Sequence, residues 1–141
     1  MANTTGGRRF RRTLGDLGGP EMRNIVGRAL YAAGDLIATE AHISITRGSA
    51  SGRKKGKHKH VPSKPGEPPN NDTGVLARGI ETVQLAPLVV EVSSNAPYSN
   101  ALEFGTSKMA ARPFMRPARD QNAEKARRIV IAGINRLLRE P

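Results

Sequence analysis

The sequence predicts an α+β domain in which a small antiparallel sheet packs with a long N-terminal and a long C-terminal helix. Two observations carry this. Apolar residues recur at helical spacing near both ends of the chain. Between those stretches, two short runs alternate apolar and polar residues and are separated by a tight Ala86-Pro87 connection. A long basic loop and a basic N-terminal arm lie outside this pattern, so the expected organisation is an arm over residues 1–19 followed by one α+β domain over residues 20–141, interrupted by a loop at 47–72.

The arm is rich in Gly, Arg and Thr, with Phe10, Leu14 and Leu17 as its apolar anchors. Pro20 suits the first turn of a helix, where its missing N–H costs nothing. Met22, Ile25, Val26, Ala29, Leu30, Ala33, Leu36 and Ile37 then form the apolar face of a helix expected to reach Glu40 or a few residues beyond. Gly27 and Gly34 are seven apart and share a face. Each costs about 1 kcal/mol against alanine, which close packing against another backbone offsets. Residues Ala41 to Thr46 suit either the end of this helix or the start of a strand.

Residues 47–72 read RGSASGRKKGKHKHVPSKPGEPPNND, an irregular stretch without apolar periodicity. Loops of this length in compact domains are usually functional or disordered. Asp72 and Thr73 are expected to cap a short turn through Leu76. Strands are expected over Gly79–Leu85 and Leu88–Ser93, the second placing Leu88, Val90 and Val92 on one side and Val89, Glu91 and Ser93 on the other. A short helix over Tyr98–Phe104 follows, with Gly105 as its left-handed stop. Residues 106–116 form a connector in which Pro113 is compatible with an edge strand. Pro117 opens the last helix, whose apolar face is Ala118, Ala123, Ala126, Ile129, Val130, Gly133, Ile134, Leu137 and Leu138. Asp120 and Glu124 near its start and Arg127, Arg128, Arg136 and Arg139 towards its end all favour the helix dipole.

Composition narrows the function classes. The chain has no cysteine, which excludes disulfides and thiolate metal sites. No apolar run approaches the ~20 residues of a membrane span, and no apolar stretch follows the N-terminal arginines as in a secretory signal. Use in a cytoplasm is the expectation. The net charge is +11 and is concentrated in two segments. Arg8, Arg9, Arg11 and Arg12, together with Arg47, Arg53, Lys54, Lys55, Lys57, Lys59 and Lys64, make 11 of the 23 basic residues, leaving 12 to balance 12 acidic ones. The rest of the chain is formally neutral.

Catalytic chemistry is not legible. His58 and His60 sit among lysines, which opposes protonation and metal binding alike, and no third ligand accompanies them. His42 stands near the end of the first helix. Glu103 has no accompanying nucleophile or acid and reads as a capping or intersubunit hydrogen-bond acceptor rather than a general base. Lys64-Pro65-Gly66-Glu67 lacks the spacing of a phosphate loop. The expectation is a protein that is no enzyme and takes no cofactor or metal. The basic stretches suit a solvated loop, a hook for an acidic groove on a neighbouring protein, or phosphate contact. The lysine run has no interleaved aromatic, which argues against a base-stacking platform.

Three blocks stand in order: PSKPGEPPNNDTGVLARGI at 62–80, NAPYSNALEFGTS at 95–107 and ARPFMRPARDQ at 111–121. This order resembles the small tail-component, or neck, family of long-tailed bacteriophages, typified by gene product ten of phage HK-ninety-seven. The matching positions are Pro65 to Pro69, Thr73 to Leu76, Ala96 to Thr106 and Arg112 to Ala118. The Glu-Phe-Gly-Thr and Arg-Pro-Phe blocks are the specific part, and the resemblance spans about residues 20–140. Ser99 departs from the alanine that many members carry, and both the Arg53–Lys59 insertion and the arginine arm are particular to this chain.

The resemblance implies a structural virion protein, assembled in the host cytoplasm. It would form a homo-oligomeric ring of six copies at the head–tail junction that seats the tail tube on the connector. A tail terminator capping the tube is the alternative within the class, and a basic nucleic-acid-binding packaging accessory is the alternative outside it. The expected partners are adjacent connector, tail-tube or terminator proteins and phage DNA in the lumen. Arg8, Arg9, Arg11, Arg12, Arg53, Lys54, Lys55, Lys57 and Lys59 are the candidate partner-binding residues. Tyr98, Glu103, Phe104, Gly105, Arg112 and Phe114 are expected to anchor the link between the sheet and the last helix, or a subunit contact.

Overall fold

The computed structural model describes residue 15 and residues 18–48 and 62–139. Their order is α1 (Pro20–Arg47), α2 (Val75–Arg78), β1 (Ile80–Ala86), β2 (Val89–Ser94), α3 (Ser99–Phe104) and α4 (Met115–Arg139). The expected α+β architecture is present, with two long helices and a two-stranded antiparallel sheet.

Helix α1 has 28 residues and is about 42 Å long at 1.5 Å per residue. Gly19 has extended backbone at its N-cap, Pro20 opens the first turn, and Gly48 at φ 67° ends it. The helix runs past Glu40 because Ala41 and Ile45 are completely buried. Ser44 and Thr46, which look like strand or loop residues in the sequence, donate their hydroxyls back to the carbonyls of Ala41 and His42 at 2.7 and 2.9 Å.

Both sides of α1 are covered. One side meets the hairpin: a Cβ on Gly27 would stand 2.5 Å from the Pro87 carbonyl oxygen, and one on Gly34 would stand 2.9 Å from Val90 Cγ1. The other side meets α4, where a Cβ on Gly133 would lie 2.6 Å from Ala29 Cβ. Positions 27 and 29 point in nearly opposite directions at 100° per residue, so α1 is the middle layer between the hairpin and α4. Small residues (Gly27, Ala29, Ala33, Gly34, Ala38, Ala41) let both neighbours approach closely, which accounts for the glycines in the helix interior.

The strands lie one residue later than the sequence suggests at each end. Thr82 pairs with Val92 and Gln84 with Val90, and a bulge between Gln84 and Ala86 leaves Leu85 as the extra residue before the Pro87-Leu88 turn. Gln84 Nε2 donates to the Pro87 carbonyl at 3.0 Å and braces that turn. Val90 and Val92 face α1 together with Thr82, as the alternation predicts.

Three further expectations are corrected, and the connector is found where expected. The N-cap position of the short helix after Asp72 is Gly74, in left-handed conformation, rather than Asp72 or Thr73, and a Cβ there would lie 2.6 Å from an Arg78 guanidinium nitrogen. The connector after Gly105 is as expected up to residue 114, with a turn closed by the Thr106–Met109 bridge, and its last two residues, Met115 and Arg116, belong to the helix that follows. Helix α4 begins at Met115, before Pro117, because an external carboxylate satisfies its first N–H groups. Finally, Ala123 and Leu138 are exposed, while Asn122 is buried on the packed face with its amide donating to the Ala118 carbonyl at 2.9 Å.

Candidate functional site

The three motif blocks converge at one end of the molecule, where they form the main apolar cluster. Leu76 and Ala77 from the first block, Ala96 from the second, and Phe114 and Ala118 from the third pack with Ala41 and Ile45 of α1. Phe114 is 1% exposed and is one of the two largest fully buried side chains.

Backbone bonds tie the blocks in series. Gly66 N–H donates to the Ala111 carbonyl at 2.8 Å, which docks the Pro-Gly turn onto the connector before Arg112. Within that turn the Glu67 carboxylate accepts from the Lys64 N–H at 3.2 Å. Arg112 N–H donates to the Leu102 carbonyl at 2.6 Å. Ser63 and Pro69 are buried, so residues 62–72 belong to the packed body rather than to a solvated loop.

Glu103 completes the link. Its Oε2 accepts from the N–H groups of Phe114 and Met115 at 2.9 and 3.0 Å, and its Oε1 accepts from Arg116 N–H at 2.9 Å. These are the first N–H groups of α4, which have no partner inside the helix. A carboxylate there also faces the positive end of the helix dipole. Gly105 makes the geometry possible. Its φ is 76°, and a Cβ would lie 2.9 Å from both Ala111 N and Met109 O, so the chain turns back on itself only with glycine at this position.

The expected anchor residues therefore divide. Glu103, Gly105, Arg112 and Phe114 join α3 to the start of α4. Tyr98 and Phe104 do not; they are 44% and 68% exposed. Ser99 is buried, and its hydroxyl donates to the Ser94 carbonyl at 3.3 Å. Among the described residues Arg112 Nε and Ser63 Oγ are buried without a hydrogen-bond partner, beside a cleft of about 380 Å³ that Tyr98, Asn71 and Thr73 also line.

A second, more apolar cleft of about 370 Å³ lies between Ile37, Val92, Phe104 and Met115. Glu103 lines it, but its oxygens are already committed to the three N–H groups, which leaves it poorly placed as a general base. Among the described residues no group of three or more metal-ligating side chains gathers. Among them also, no helix is long and apolar enough to cross a membrane. The candidate partner-binding residues Arg8, Arg9, Arg11, Arg12, Arg53, Lys54, Lys55, Lys57 and Lys59, and the His58–His60 pair, lie outside the described residues. Arg47 and Lys64, by contrast, belong to the end of α1 and to the Pro-Gly turn.

No protein-family profile, curated protein or solved structure matches the chain.

Proposed function

We propose that this chain is a structural virion protein of a tailed bacteriophage, a ring-forming head–tail connector that joins the tail tube to the head. One observation carries the reading: the residues of the three motif blocks are used together, in one place, to hold the fold. Glu103 caps the helix that follows the Arg-Pro-Phe block, Gly105 permits the turn between them, and Gly66 docks the Pro-Gly block onto the same connector. A shared sequence pattern with that purpose suits an assembly module rather than an active site.

The surface fits the same role. Phe104, Leu85, Val89, Ile131 and Leu138 are large apolar side chains left in solvent by the monomer. Of the net charge of +11, nine positive charges come from Arg8–Arg12 and Arg53–Lys59, two stretches that contain no acidic residue. Those segments serve as hooks for neighbouring connector, tail-tube or terminator proteins, or for DNA in the lumen. The entropy of ordering them is offset by repetition around a ring.

The test is a phage lacking this gene, complemented in trans. A connector predicts filled heads and free, complete tails that join when purified protein is added. Tails of abnormal length would assign the terminator role instead. Normal yields of joined particles without the protein would overturn the proposal.

A further inference from the structure

Two opposite faces of the folded body are apolar at the centre and opposite in charge. The first is the outer face of the hairpin. With Thr82, Val90 and Val92 turned to α1, the alternation turns Glu81, Val83, Leu85, Val89 and Glu91 outward. Val83, Leu85 and Val89 are 38%, 60% and 50% exposed. The segment from Ile80 to Ser94 carries two carboxylates and no basic residue. A two-stranded sheet is marginal by itself, and among the described residues neither of its edges pairs with a further strand.

The second is the outer face of the C-terminal half of α4. Ile131 and Leu138 are seven apart, share a face, and are 47% and 52% exposed. From Arg127 to Arg139 this helix has four arginines and no carboxylate. Among the described residues Arg127 and Arg128 pair with Glu124, at 3.9 and 3.8 Å and in solvent, so they can be recruited by another acid at little cost.

We infer that the outer hairpin face of one copy seats on the outer face of the C-terminal half of α4 in the next copy. Leu85 and Val89 would lie over Ile131 and Leu138, and Glu81 and Glu91 would meet Arg127, Arg128 and Arg139. A second copy is the occupant because the two faces complement each other in charge and lie on opposite sides of α1. An interface joining two different patches of one chain is heterologous. Repeated, it closes into a ring if the rotation closes, and otherwise extends as a filament. The pairing specifies the contact for the ring proposed above and rests on that reading for its biological setting, but it is tested apart from it.

The test uses the full chain, measured by light scattering after size exclusion and by native mass spectrometry. Wild type is expected to give closed oligomers that weaken as salt rises. Glu81→Lys with Glu91→Lys, and separately Arg127→Glu with Arg128→Glu, should each abolish the oligomer, and combining all four should restore it. Mixing the two half-reversed variants matches the faces at every contact when the copies alternate, so the mixture should assemble into alternating oligomers although neither variant does so alone. A cysteine pair guards against misfolded variants, because the chain has no native cysteine. Leu85→Cys with Ile131→Cys should oxidise to a ladder of linked copies, whereas either alone should not. Reversed variants that assemble like wild type, a wild type monomeric at every concentration, or a double-cysteine chain that fails to cross-link would each overturn the pairing. Failure of the connector reading shows elsewhere, as joined particles formed without the protein.

Discussion

Replacing Glu103 tests the link between the motif blocks most sharply. Glu103→Ala removes the acceptor of three N–H groups at the start of α4. Those of Phe114 and Met115 are partly buried, so each loses a partner that water replaces poorly, at about 1 kcal/mol apiece. Arg116 N–H is exposed and finds water. Loss of the charge facing the helix dipole adds about 0.5 kcal/mol. The sum is about 2–3 kcal/mol, within reach of the largest measured cap deletions. At roughly 3–4 °C per kcal/mol for a chain of this size, the melting midpoint should fall by about 6–12 °C. Glu103→Gln keeps one oxygen for Phe114 and Met115 and should cost about 1 kcal/mol, near half the effect or less. Differential scanning calorimetry of the three proteins measures the series. An alanine variant melting within about 2 °C of wild type would refute the capping role.

Three other expectations follow from the packing. Phe104→Ser and Phe114→Ser separate two aromatics ten residues apart: the first, at 68% exposure, should leave stability within about 0.5 kcal/mol, while the second should lose several kcal/mol or fail to fold, as urea titration would show. Gly27→Ala should destabilise by about 1–2 kcal/mol despite the better helix propensity of alanine, because the Pro87 carbonyl occupies the space at 2.5 Å; a variant as stable as wild type would mean that the hairpin turn yields easily. Deleting Arg53 to Lys59 should leave the melting midpoint unchanged and reduce head–tail joining, read as a loss of infectious particles from otherwise normal heads and tails.

Much of this fold is legible in the sequence, and the exceptions have physical causes. The helical periods of α1 and α4 and the alternation of the two strands come from burial on repeating faces, and they place these elements within a few residues. The end of α1 is obscured because Ser44 and Thr46 resemble loop residues when their back-bonding to helix carbonyls is not visible. Asn122 and Ala123 exchange places because a polar residue can be buried when it bonds within its own helix. The start of α4 is misplaced for a different reason. Its cap, Glu103, lies 11 to 13 residues upstream, whereas capping patterns in a sequence are read over three or four residues. The glycine at 105 is the sole local hint, and it signals a stop without showing what the chain turns back to meet. Periodicity also cannot separate residues facing an internal partner from those facing another copy. Leu138 reads as part of the apolar face of α4, and only the layer order shows that it points away from α1.

A connector is defined by where it sits in a particle. Cryo-electron microscopy of tailed virions carrying this chain tests that directly. A connector should appear as a closed ring at the head–tail junction whose repeating unit fits α1 between α4 and the hairpin, with added density from the basic segments reaching the adjacent ring. Particles without the chain, or with it elsewhere than the neck or tail end, would contradict the connector role.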